Sequence, residues 1–596
     1  MKIKFSSLKA LAATFILGIS SLSYAQIGTW TALTNREPNQ GAGLMLLMTD
    51  GTIMCQSTNG TNYVGWDKLT PDASGSYVNG TWTTEANMKQ NRLFFASQVL
   101  PNGKLFVAGG EYYEGDTAGE IYDPVANVWS RTEGVVGKEN IYDGNSIMLP
   151  DGQVLVGPQA GPSFNSSDCE YYNPSTNKWA LAPSSPLDHD EAQWLKLPDS
   201  SILFIGMATQ QSCRFRPQTN TWINDANVPV SISDTFGYES GPGFMLPNGK
   251  AIFFGGYVYN AIYTPSGGTA PGSWIAAAQF PKIGGQKVGI SDGPGAMMVN
   301  GHILLAVSPV GTSNNDEFRN PAYFMEYDYT TNTFTQVTSI IPGLGADSIA
   351  GNTCSNTTFL DLPDGTVLMM SSQNNSNTQN EQYYVYTPGS GPIAAGKPTI
   401  NSITPDGCPM YKITGKLFNG ISEGTEYGDD LQQSSNYPLV RITNGTNVYY
   451  CKTTNWNRIG AVMTDSLEDT ALFQVPSAAP AGTYSLVVVV NGFASNPAIV
   501  SLPCVSTGVQ SVSVETNTII VYPNPNKGIF NIEASQAMDK SVMEIYNVLG
   551  QQVSSQPLTG LTKEINLSTQ PAGLYLYRVI LESGTLIGNG KLVIQK

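Results

Sequence analysis

The sequence contains little charge for its length. Charged residues make up 13% of the 596 residues, against about 25% in an average soluble domain, and the formal net charge is −16. A surface of this sign repels nucleic acid and anionic membranes, so no nucleic-acid partner is expected. Glycine and tyrosine are abundant instead, with 61 and 29 copies, which is typical of an extracellular all-β protein.

Several functional motifs are also missing. The seven cysteines form no CxxC pair and no cluster with histidine, so a zinc site is not expected. No P-loop or HExxH motif occurs. Two GxSxG segments, Gly289–Gly293 and Gly420–Gly424, are not followed by the helical pattern that a nucleophile elbow needs. Beyond the N-terminal region no apolar run is long enough to span a membrane, so no transmembrane span is expected in the mature chain.

Residues 1–25 have the pattern of a secretory signal peptide. Three lysines precede an apolar core at Ala10–Ile19, and Ser23-Tyr24-Ala25 is a plausible cleavage site. Export permits disulfides. Of the three cysteines in one later domain, Cys408, Cys451 and Cys504, two are expected either to pair or to remain buried thiols, and the spacing does not decide between these alternatives.

A short hairpin recurs along residues 26–395. Its clearest copy is Ile147–Gly157, in which apolar residues flank a Pro-Asp-Gly turn, and Asp-Gly or Asn-Gly pairs readily adopt the positive φ angles of such a turn. Successive copies are about fifty residues apart. The turns begin at Asp50, Asn102, Asp151, Asp199, Asn248, Asn300 and Asp364. This period predicts kelch-type propeller blades.

A second strand motif predicts how the ring closes. Most hairpins are followed by a strand such as Tyr122-Asp123-Pro124 and then a tryptophan, which gives four strands per blade. The last copy, at Tyr386-Thr387-Pro388, has no tryptophan after it. Gly28-Thr29-Trp30-Thr31 repeats Gly80-Thr81-Trp82-Thr83 letter for letter. We therefore predict a seven-bladed kelch-type β-propeller over residues 26–395, closed by the N-terminal strand, since closure removes exposed sheet edges.

Two smaller β-modules are predicted after the propeller. Residues 396–504 have the size and the short strands of an immunoglobulin-like β-sandwich, with Thr483–Val490 as a buried strand. Residues 505–519 read as a linker. In residues 520–596, alternating apolar residues in Val542–Val553 and Pro571–Val579 predict strands with one buried face.

The last module strongly resembles the type A sorting domain of the type IX secretion system. The resemblance rests on Tyr522-Pro523-Asn524-Pro525, on the two alternating runs and on the terminal Gly590–Ile594. It implies a Gram-negative bacterium, the type IX secretion machinery as a partner, and a protein that is extracellular or on the outer cell surface. It also implies that the sorting domain is removed there.

The segments Glu426–Asp430 and Ser435–Arg441 resemble the C-terminal domain of the galactose oxidase and glyoxal oxidase family. That family places a seven-bladed kelch propeller ahead of an immunoglobulin-like domain. Its members bind one copper ion through two tyrosines and two histidines, and one tyrosine is cross-linked to a cysteine. The resemblance therefore implies the architecture of residues 28–504 and raises the question of copper.

The copper ligands of that family are not found in this sequence. The two histidines are His189 and His302, and neither follows a tyrosine. The family's Tyr-His pair falls on about Ser355 and Asn356, its cysteine falls near Phe94 or Phe95, and only Tyr142 matches a family ligand. Because copper favours imidazole ligands, we expect no copper and no copper radical oxidase.

Residues just before the first strand of each blade are expected to converge on one mouth of the propeller. The predicted ligand-binding residues there are Arg92, Tyr142, Asp190, Glu191, Glu239, Asp292 and Asn356. Carboxylates from three successive blades suit a hard cation such as Ca²⁺. Together with Tyr142, Tyr238 and Trp194 they also suit a sugar, or an acid/base pair for hydrolysis. The alternative is that these side chains are solvated or cap turns.

The function predicted from these features is a secreted or cell-surface protein that binds a glycan or a surface protein without catalysis. The alternative is an extracellular carbohydrate-active enzyme of galactose or glyoxal oxidase-like ancestry, either a degenerate oxidase or a carboxylate-dependent hydrolase. No catalytic residue is predicted, and no cofactor beyond the Ca²⁺ left open above. His189 is expected near the mouth, with an ordinary pKa that suits proton transfer, and His302 at an exposed hairpin tip.

Overall fold

The computed structural model describes residues 27–596 except 60–61, 111–117, 137–139, 161–165, 190, 372–381, 427–431, 434, 462–466, 503–518 and 582–585. The described chain is almost entirely β. It contains 47 strands and the short 3₁₀ helices Cys354–Asn356 and Ala394–Gly396. It divides into two compact units, one up to Val505 and one from Ser506.

Seven antiparallel sheets follow one another between residues 29 and 387 of the described chain. Sheet 1 contains β2 (Gln40–Leu47), β3 (Ile53–Asn59), β4 (Asn62–Thr70) and β5 (Thr81–Thr84). Sheet 2 contains β6 (Ala96–Val99), β7 (Leu105–Ala108), β8 (Ala118–Asp123) and β9 (Val128–Gly134). Sheet 3 contains β10 (Asn140–Met148), β11 (Val154–Ala160), β12 (Glu170–Asn173) and β13 (Lys178–Leu181).

The remaining four sheets are also antiparallel series of neighbouring strands, with two additional short strands in sheet 6 and the N-terminal strand in sheet 7. Sheet 4 contains β14 (Leu195–Lys196), β15 (Ile202–Ile205), β16 (Ser212–Arg216) and β17 (Thr221–Asn224). Sheet 5 contains β18 (Ser240–Met245), β19 (Ala251–Gly255), β20 (Ala261–Thr264) and β21 (Ser273–Ala276). Sheet 6 contains β22 (Val288–Gly289), β23 (Gly295–Met297), β24 (His302–Pro309), β25 (Ala322–Asp328), β26 (Thr333–Gln336) and β27 (Ser348–Ile349). Sheet 7 contains β28 (Thr357–Asp361), β29 (Val367–Ser371), β30 (Gln382–Thr387) and β1 (Thr29–Ala32).

The recurring turns fold as the sequence predicts. The turn glycines Gly51, Gly103, Gly152, Gly249, Gly301 and Gly365 all have φ between 76° and 88°, which an L side chain rarely adopts. The preceding Asp or Asn closes the turn, as where Asp50 Oδ1 accepts the Thr52 N–H at 3.1 Å. In the one copy without glycine, Ser200 takes φ 64°. These turns join the first two strands of the sheets.

The N-terminal strand pairs where the sequence predicts. β1 runs antiparallel to β30, with Trp30 opposite Tyr386, and the Gly28 N–H donates to the Tyr386 hydroxyl at 2.9 Å. The Trp30 ring is 5% exposed and packs against Phe324 and Tyr386 with centroids 4.9 and 4.6 Å apart. The all-β fold with its curled sheets is consistent with a β-propeller.

The rest of the first unit is a further group of paired strands. They follow the order β31-β32-β37-β36-β35-β38-β39, and β40 also pairs with β38. The strands are β31 (Thr399–Pro405), β32 (Met410–Lys416), β35 (Leu439–Asn444), β36 (Asn447–Thr454), β37 (Asp469–Gln474), β38 (Gly482–Val490), β39 (Phe493–Ala494) and β40 (Ala498–Leu502). Ile413, Phe473 and Leu486 form part of their buried core.

A segment between β32 and β35 leaves these strands and pairs with the sheets. We call Ile421–Glu426 the inserted segment. Its strand β33 (Glu423–Gly424) extends sheet 5 beside β18, and Glu426 forms a bridge with Trp194. A second short strand, β34 (Gln432–Gln433), runs parallel to β28 of sheet 7. The first strands of at least two sheets are therefore covered by chain from the following module.

The second unit contains two smaller sheets. One has the order β41-β42-β45 and the other β44-β43-β46-β47. Their strands are β41 (Ile519–Tyr522), β42 (Ile529–Ala534), β43 (Ser541–Asn547), β44 (Gln552–Leu558), β45 (Thr562–Asn566), β46 (Gly573–Leu581) and β47 (Leu586–Ile594). Alternate residues such as Met543, Ile545 and Val579 are buried, as the period-2 pattern predicts.

The structure contains both a disulfide-bonded cysteine and buried free thiols, the two alternatives that the sequence left open. Cys408 is disulfide-bonded. Cys55, Cys169, Cys213, Cys354 and Cys451 are free thiols, and all five are buried. Cys504 lies outside the described residues. Burial raises the pKa of the Cys451 thiol, so this group is neutral and unreactive at neutral pH.

Candidate functional site

Three of the predicted mouth residues lie together. Glu191 precedes β14, Glu239 directly precedes β18, and Asp292 lies between β22 and β23. One carboxylate oxygen from each lies within 4.8 Å of the others. We call these three residues the carboxylate cluster. Among the residues that the structure describes, this is the one such group of three or more His, Cys, Asp or Glu ligands.

The environment of Glu239 opposes ionisation. Burial raises the pKa of this carboxyl group, and the charges of Asp292 and Glu191 raise it further. Its Oε2 atom is buried and has no hydrogen-bond partner among the described residues. Because like charges this close cannot all remain ionised without compensation, the cluster must hold either a proton or a cation.

Two further carboxylates adjoin the carboxylate cluster. Asp234 Oδ1 accepts the N–H groups of Phe236, Gly237 and Tyr238 at 2.9–3.0 Å, and its Oδ2 accepts the Ser291 hydroxyl at 3.2 Å. A Cβ at Gly237 would clash with carboxylate oxygens of both Glu317 and Glu239. Burial, followed by the neighbouring Asp234, raises the pKa of Glu317 to about 7. Five acidic side chains therefore share one region.

Left-handed backbone recurs just before the first strands. Phe94, Glu191, Tyr238 and Asp292 have φ of 52°, 56°, 69° and 51°. They lie a few residues before β6, β14, β18 and β23. Strain of this kind often marks functional sites. Because it recurs before the first strands of four sheets, we attribute it to the turn by which the chain enters each strand. It therefore explains how Glu191 and Asp292 are positioned and does not by itself indicate a ligand.

Arg92 and Asn356 do not join the carboxylate cluster. The Arg92 side chain is completely buried, its Nε lies 3.4 Å from Glu120 Oε1, and its guanidinium donates to the Gly109 and Ala118 carbonyls at 2.7 and 2.9 Å. Asn356 is the last residue of the 3₁₀ helix before β28, where its N–H donates to the Thr353 carbonyl at 3.2 Å. Arg92 thus balances Glu120 in the interior rather than the carboxylate cluster.

The other predicted mouth residues are placed only in part. Asp190 and the side chain of Tyr142 lie outside the described residues. Trp194 is fully buried, so its ring offers no surface on which a sugar could stack. Tyr238, the residue before Glu239, is 53% exposed. Of the three aromatic residues proposed for stacking, only Tyr238 is described with an accessible ring.

The two histidines lie in unrelated environments. His189 is buried against Trp194, Phe204 and Trp222 with ring centroids 4.5–5.2 Å away. Burial lowers its pKa to about 4, so the ordinary pKa expected for His189 is wrong and the ring is neutral at pH 7. His302 is partly buried rather than exposed, and its Nδ1 lies 2.8 Å from Glu326 Oε2. That hydrogen bond raises the pKa of His302.

This set of donors does not fit the copper centre of the resembled family. Neither imidazole belongs to the carboxylate cluster, and copper sites favour nitrogen and sulfur ligands. Oxygen ligands suit hard cations such as Ca²⁺. No step of chemistry through copper can therefore be derived from the residues described here.

A groove that the sequence did not indicate adjoins the carboxylate cluster. It measures about 820 Å³ and is lined by the loop after β15, the connection from β17 to β18, and the loop after β19. Asp234 and Tyr238 line it as well, so the groove and the acidic region share residues. Its other aromatic residues, Tyr257 and Tyr259, lie in a loop without any repeat pattern, and only their type could have drawn attention to them.

Comparison with known proteins defines the class of the second unit. Residues 520–595 match the family described as "Secretion system C-terminal sorting domain" (Por_Secre_tail). This match indicates handling by the type IX secretion machinery and export to the cell surface or the extracellular space. Within the described part of the chain, no helix is both long and apolar enough to span a membrane.

The chain is similar to a solved structure at low identity. That structure is titled "Novel fungal alcohol oxidase with catalytic diversity among the AA5 family, in complex with copper". The TM-score is 0.46 and the identity 12%, over 80% of this chain and 100% of that chain. No curated protein sequence matches the chain. A similarity of this size carries no activity over to the present protein.

Proposed function

We propose that this exported protein is a seven-bladed kelch-type propeller joined to an immunoglobulin-like domain, and that it binds a glycan or a surface protein without turning it over. The pairing of β1 with β30 supports a closed ring. The order of the seven sheets supports one blade per sheet. In this arrangement the carboxylate cluster lies at the central mouth, between blades four, five and six.

The convergence of Glu191, Glu239 and Asp292 within 4.8 Å is the observation that carries this proposal. Ca²⁺ takes six to eight oxygen ligands, and carboxylates are its usual protein donors. Three carboxylates leave coordination positions open for hydroxyl or carboxylate oxygens of a ligand. A bound Ca²⁺ would also offset the charges of Asp292 and Glu191, which add to the effect of burial in raising the pKa of Glu239. The protein would then hold its ligand through the ion.

The second candidate function is a carboxylate-dependent glycoside hydrolase. Its support is that Glu239 favours the protonated form beside Glu191 and Asp292. In glycosidases, a raised pKa keeps one carboxyl group protonated as the general acid while its neighbour stays ionised as the nucleophile. Carboxyl groups about 5 Å apart are typical of retaining enzymes. Product formed from a bound glycan would favour this candidate over simple binding.

Calcium titration of the full secreted protein tests the proposal. We expect Ca²⁺ at 100 times its Kd to stabilise the protein by about 2.7 kcal/mol, measured by calorimetry and thermal melting. Asp292→Asn and Glu239→Gln should abolish this response. Without Ca²⁺ both variants should melt at or above the parent temperature, because Asp292→Asn removes a like charge and Glu239→Gln replaces a carboxyl group that favours the protonated form.

The matched control is Glu133→Gln, which changes an exposed glutamate outside the carboxylate cluster. It should keep the full response to Ca²⁺. A parent protein that shows no Ca²⁺ binding, or an Asp292→Asn variant that binds Ca²⁺ as the parent does, would refute the cation site. A variant that melts below the parent without Ca²⁺ would show that the carboxylates have a structural role instead.

Export is expected to depend on the sorting domain. A chain that ends at residue 505 should be made and should cross the inner membrane, but it should accumulate in the periplasm, because the segment that matches the sorting family is missing. Immunoblots of periplasm and culture medium measure the distribution. Equal amounts outside the cell with and without residues 520–596 would contradict the expected role of this segment.

A further inference from the structure

The groove beside the carboxylate cluster has the size of a ligand site. Its volume of about 820 Å³ lies within the range of about 300–1,000 Å³ that is usual for binding clefts. Sheets 4 and 5 both contribute, through loop 207–211 and through Tyr257 and Tyr259. The groove is therefore lined by loops that connect the strands of two neighbouring sheets.

Two tyrosine rings form one wall. The centroids of Tyr257 and Tyr259 are 6.0 Å apart, and their planes meet at 47°. The exposed Lys287 ammonium group donates to the Tyr257 hydroxyl at 2.5 Å and lies 4.8 Å from that ring's centroid. Tyr238, 53% exposed, adds a third ring. Partly exposed tyrosine rings provide flat apolar faces with a polar edge.

Unengaged amide groups line another part of the groove. The side chains of Gln210, Gln211 and Asn227 are exposed, and none forms a hydrogen bond to another described residue. Each amide carries a carbonyl acceptor and two N–H donors. Sugar hydroxyl groups both donate and accept, so they match such amides. A pyranose ring also has an apolar C–H face, which matches the tyrosine wall.

The charges around the groove select against acidic ligands. Asp234 lines the groove, and Glu239 and Glu317 lie beside it across Gly237. The ammonium group of Lys287 is bonded to Tyr257. Asp234 is the one charged residue among the described residues that line the groove, and no lysine or arginine is among them, so a uronic acid or a sulfated sugar would find no cationic partner in the lining.

From these observations we infer that the groove binds an uncharged oligosaccharide. Its rings stack on Tyr257 and Tyr259, its hydroxyls contact Gln210, Gln211 and Asn227, and the chain runs toward the carboxylate cluster. This inference rests on the proposed binding function, and it names the ligand class and a subsite outside the cation site. Stacking in the groove does not itself require Ca²⁺.

Calorimetric titration of the full secreted protein tests the groove. The probes are uncharged hexasaccharides (cello-, xylo-, manno- and galacto-) and an oligogalacturonate of the same length, each with Ca²⁺ and with EDTA. We expect at least one uncharged probe to bind and, in EDTA, the oligogalacturonate to bind more weakly. Tyr259→Ala should weaken binding by about tenfold or more. Asn227→Ala should weaken it less, and because Asn227 is exposed this substitution should not disturb folding.

Tyr329→Ala is the matched control, since Tyr329 is a partly buried tyrosine outside the groove, and it should bind as the parent does. Sugar binding that persists in EDTA and in Asp292→Asn but falls in Tyr259→Ala supports the groove even if the cation site fails. Binding that Asp292→Asn abolishes while Tyr259→Ala and Asn227→Ala leave it intact overturns the groove and keeps the cation site. No binding of any uncharged probe, or tighter binding of the oligogalacturonate in EDTA, also overturns it.

Discussion

Trp30→Ala is expected to lower the free energy of unfolding of the first unit by about 3–5 kcal/mol, the usual cost of truncating a large buried aromatic residue. Trp30 is 5% exposed and packs against Phe324 of sheet 6 and Tyr386 of sheet 7. It lies on the one strand of sheet 7 that comes from the start of the chain. The substitution therefore weakens the contact that joins the two ends of the sheet array.

Deleting residues 26–34 should have a larger effect, because it also leaves the backbone edge of β30 unpaired. Urea unfolding followed by tryptophan fluorescence and by circular dichroism measures both changes. Thr31→Ala is the control, since Thr31 lies on the same strand but is exposed, and it should change stability by less than about 0.5 kcal/mol. Trp30→Ala and Thr31→Ala variants with the same unfolding midpoint would contradict a closing role for β1.

The features that could be predicted from the sequence are those that recur in each repeat. The turn at Asp151-Gly152 and the strand at Gly28–Thr31 recur with the same letters, so comparing copies locates their partners. The carboxylate cluster was accessible by the same route, since Glu191, Glu239 and Asp292 occupy similar positions before successive first strands. When a motif repeats, residues at equivalent positions in successive copies can be predicted to lie near one another in the fold.

The features that the sequence did not reveal depend on contacts outside the repeat. Arg92 was expected to face a ligand, but its partner Glu120 lies 28 residues away on β8, and no local pattern connects the two. Histidine is a common proton-transfer residue, so the residue type alone suggested an ordinary pKa for His189. Its pKa is low because the side chain is buried, and the rings around it are those of Trp194, Phe204 and Trp222. Tyr257 and Tyr259 lie in a loop whose sequence occurs once.

The inserted segment brings charged side chains into contact with sheets that lie far away in the sequence, and no sequence pattern predicts these contacts. Lys196 of β14 and Glu423 of β33 form an ion pair of 3.2 Å, with side chains 5% and 6% exposed. Glu423 Oε2 also accepts the Ala461 N–H at 2.7 Å. A cavity of about 60 Å³ adjoins this pair and is lined as well by Glu426, Gln98 and Tyr437. A second carboxyl group therefore shares the site of one buried cation.

Stability is expected to fall as the pH rises from about 4.5 to about 8, and Glu426 is the cause. Burial raises the pKa of Glu426 to about 8; Glu423 raises it further, while Lys196 and a hydrogen bond with Gln98 oppose the rise. The unfolded chain releases this proton near pH 4.5, but the folded chain keeps it up to about pH 8. In this window the folded state binds more protons, so raising the pH favours unfolding.

At about 1.4 kcal/mol per pKa unit, the effect amounts to up to about 5 kcal/mol. Glu426→Gln keeps the shape of the protonated carboxyl group and cannot ionise. The variant should match the parent near pH 4.5, and above pH 8 it should be more stable by up to that amount. Urea unfolding at several pH values, with Glu133→Gln as an exposed control, measures the difference between each variant and the parent. Because every other titrating group is common to the two proteins, a difference that stays constant from pH 4.5 to 8.5 would show that Glu426 is already ionised in the folded chain, balanced by Lys196.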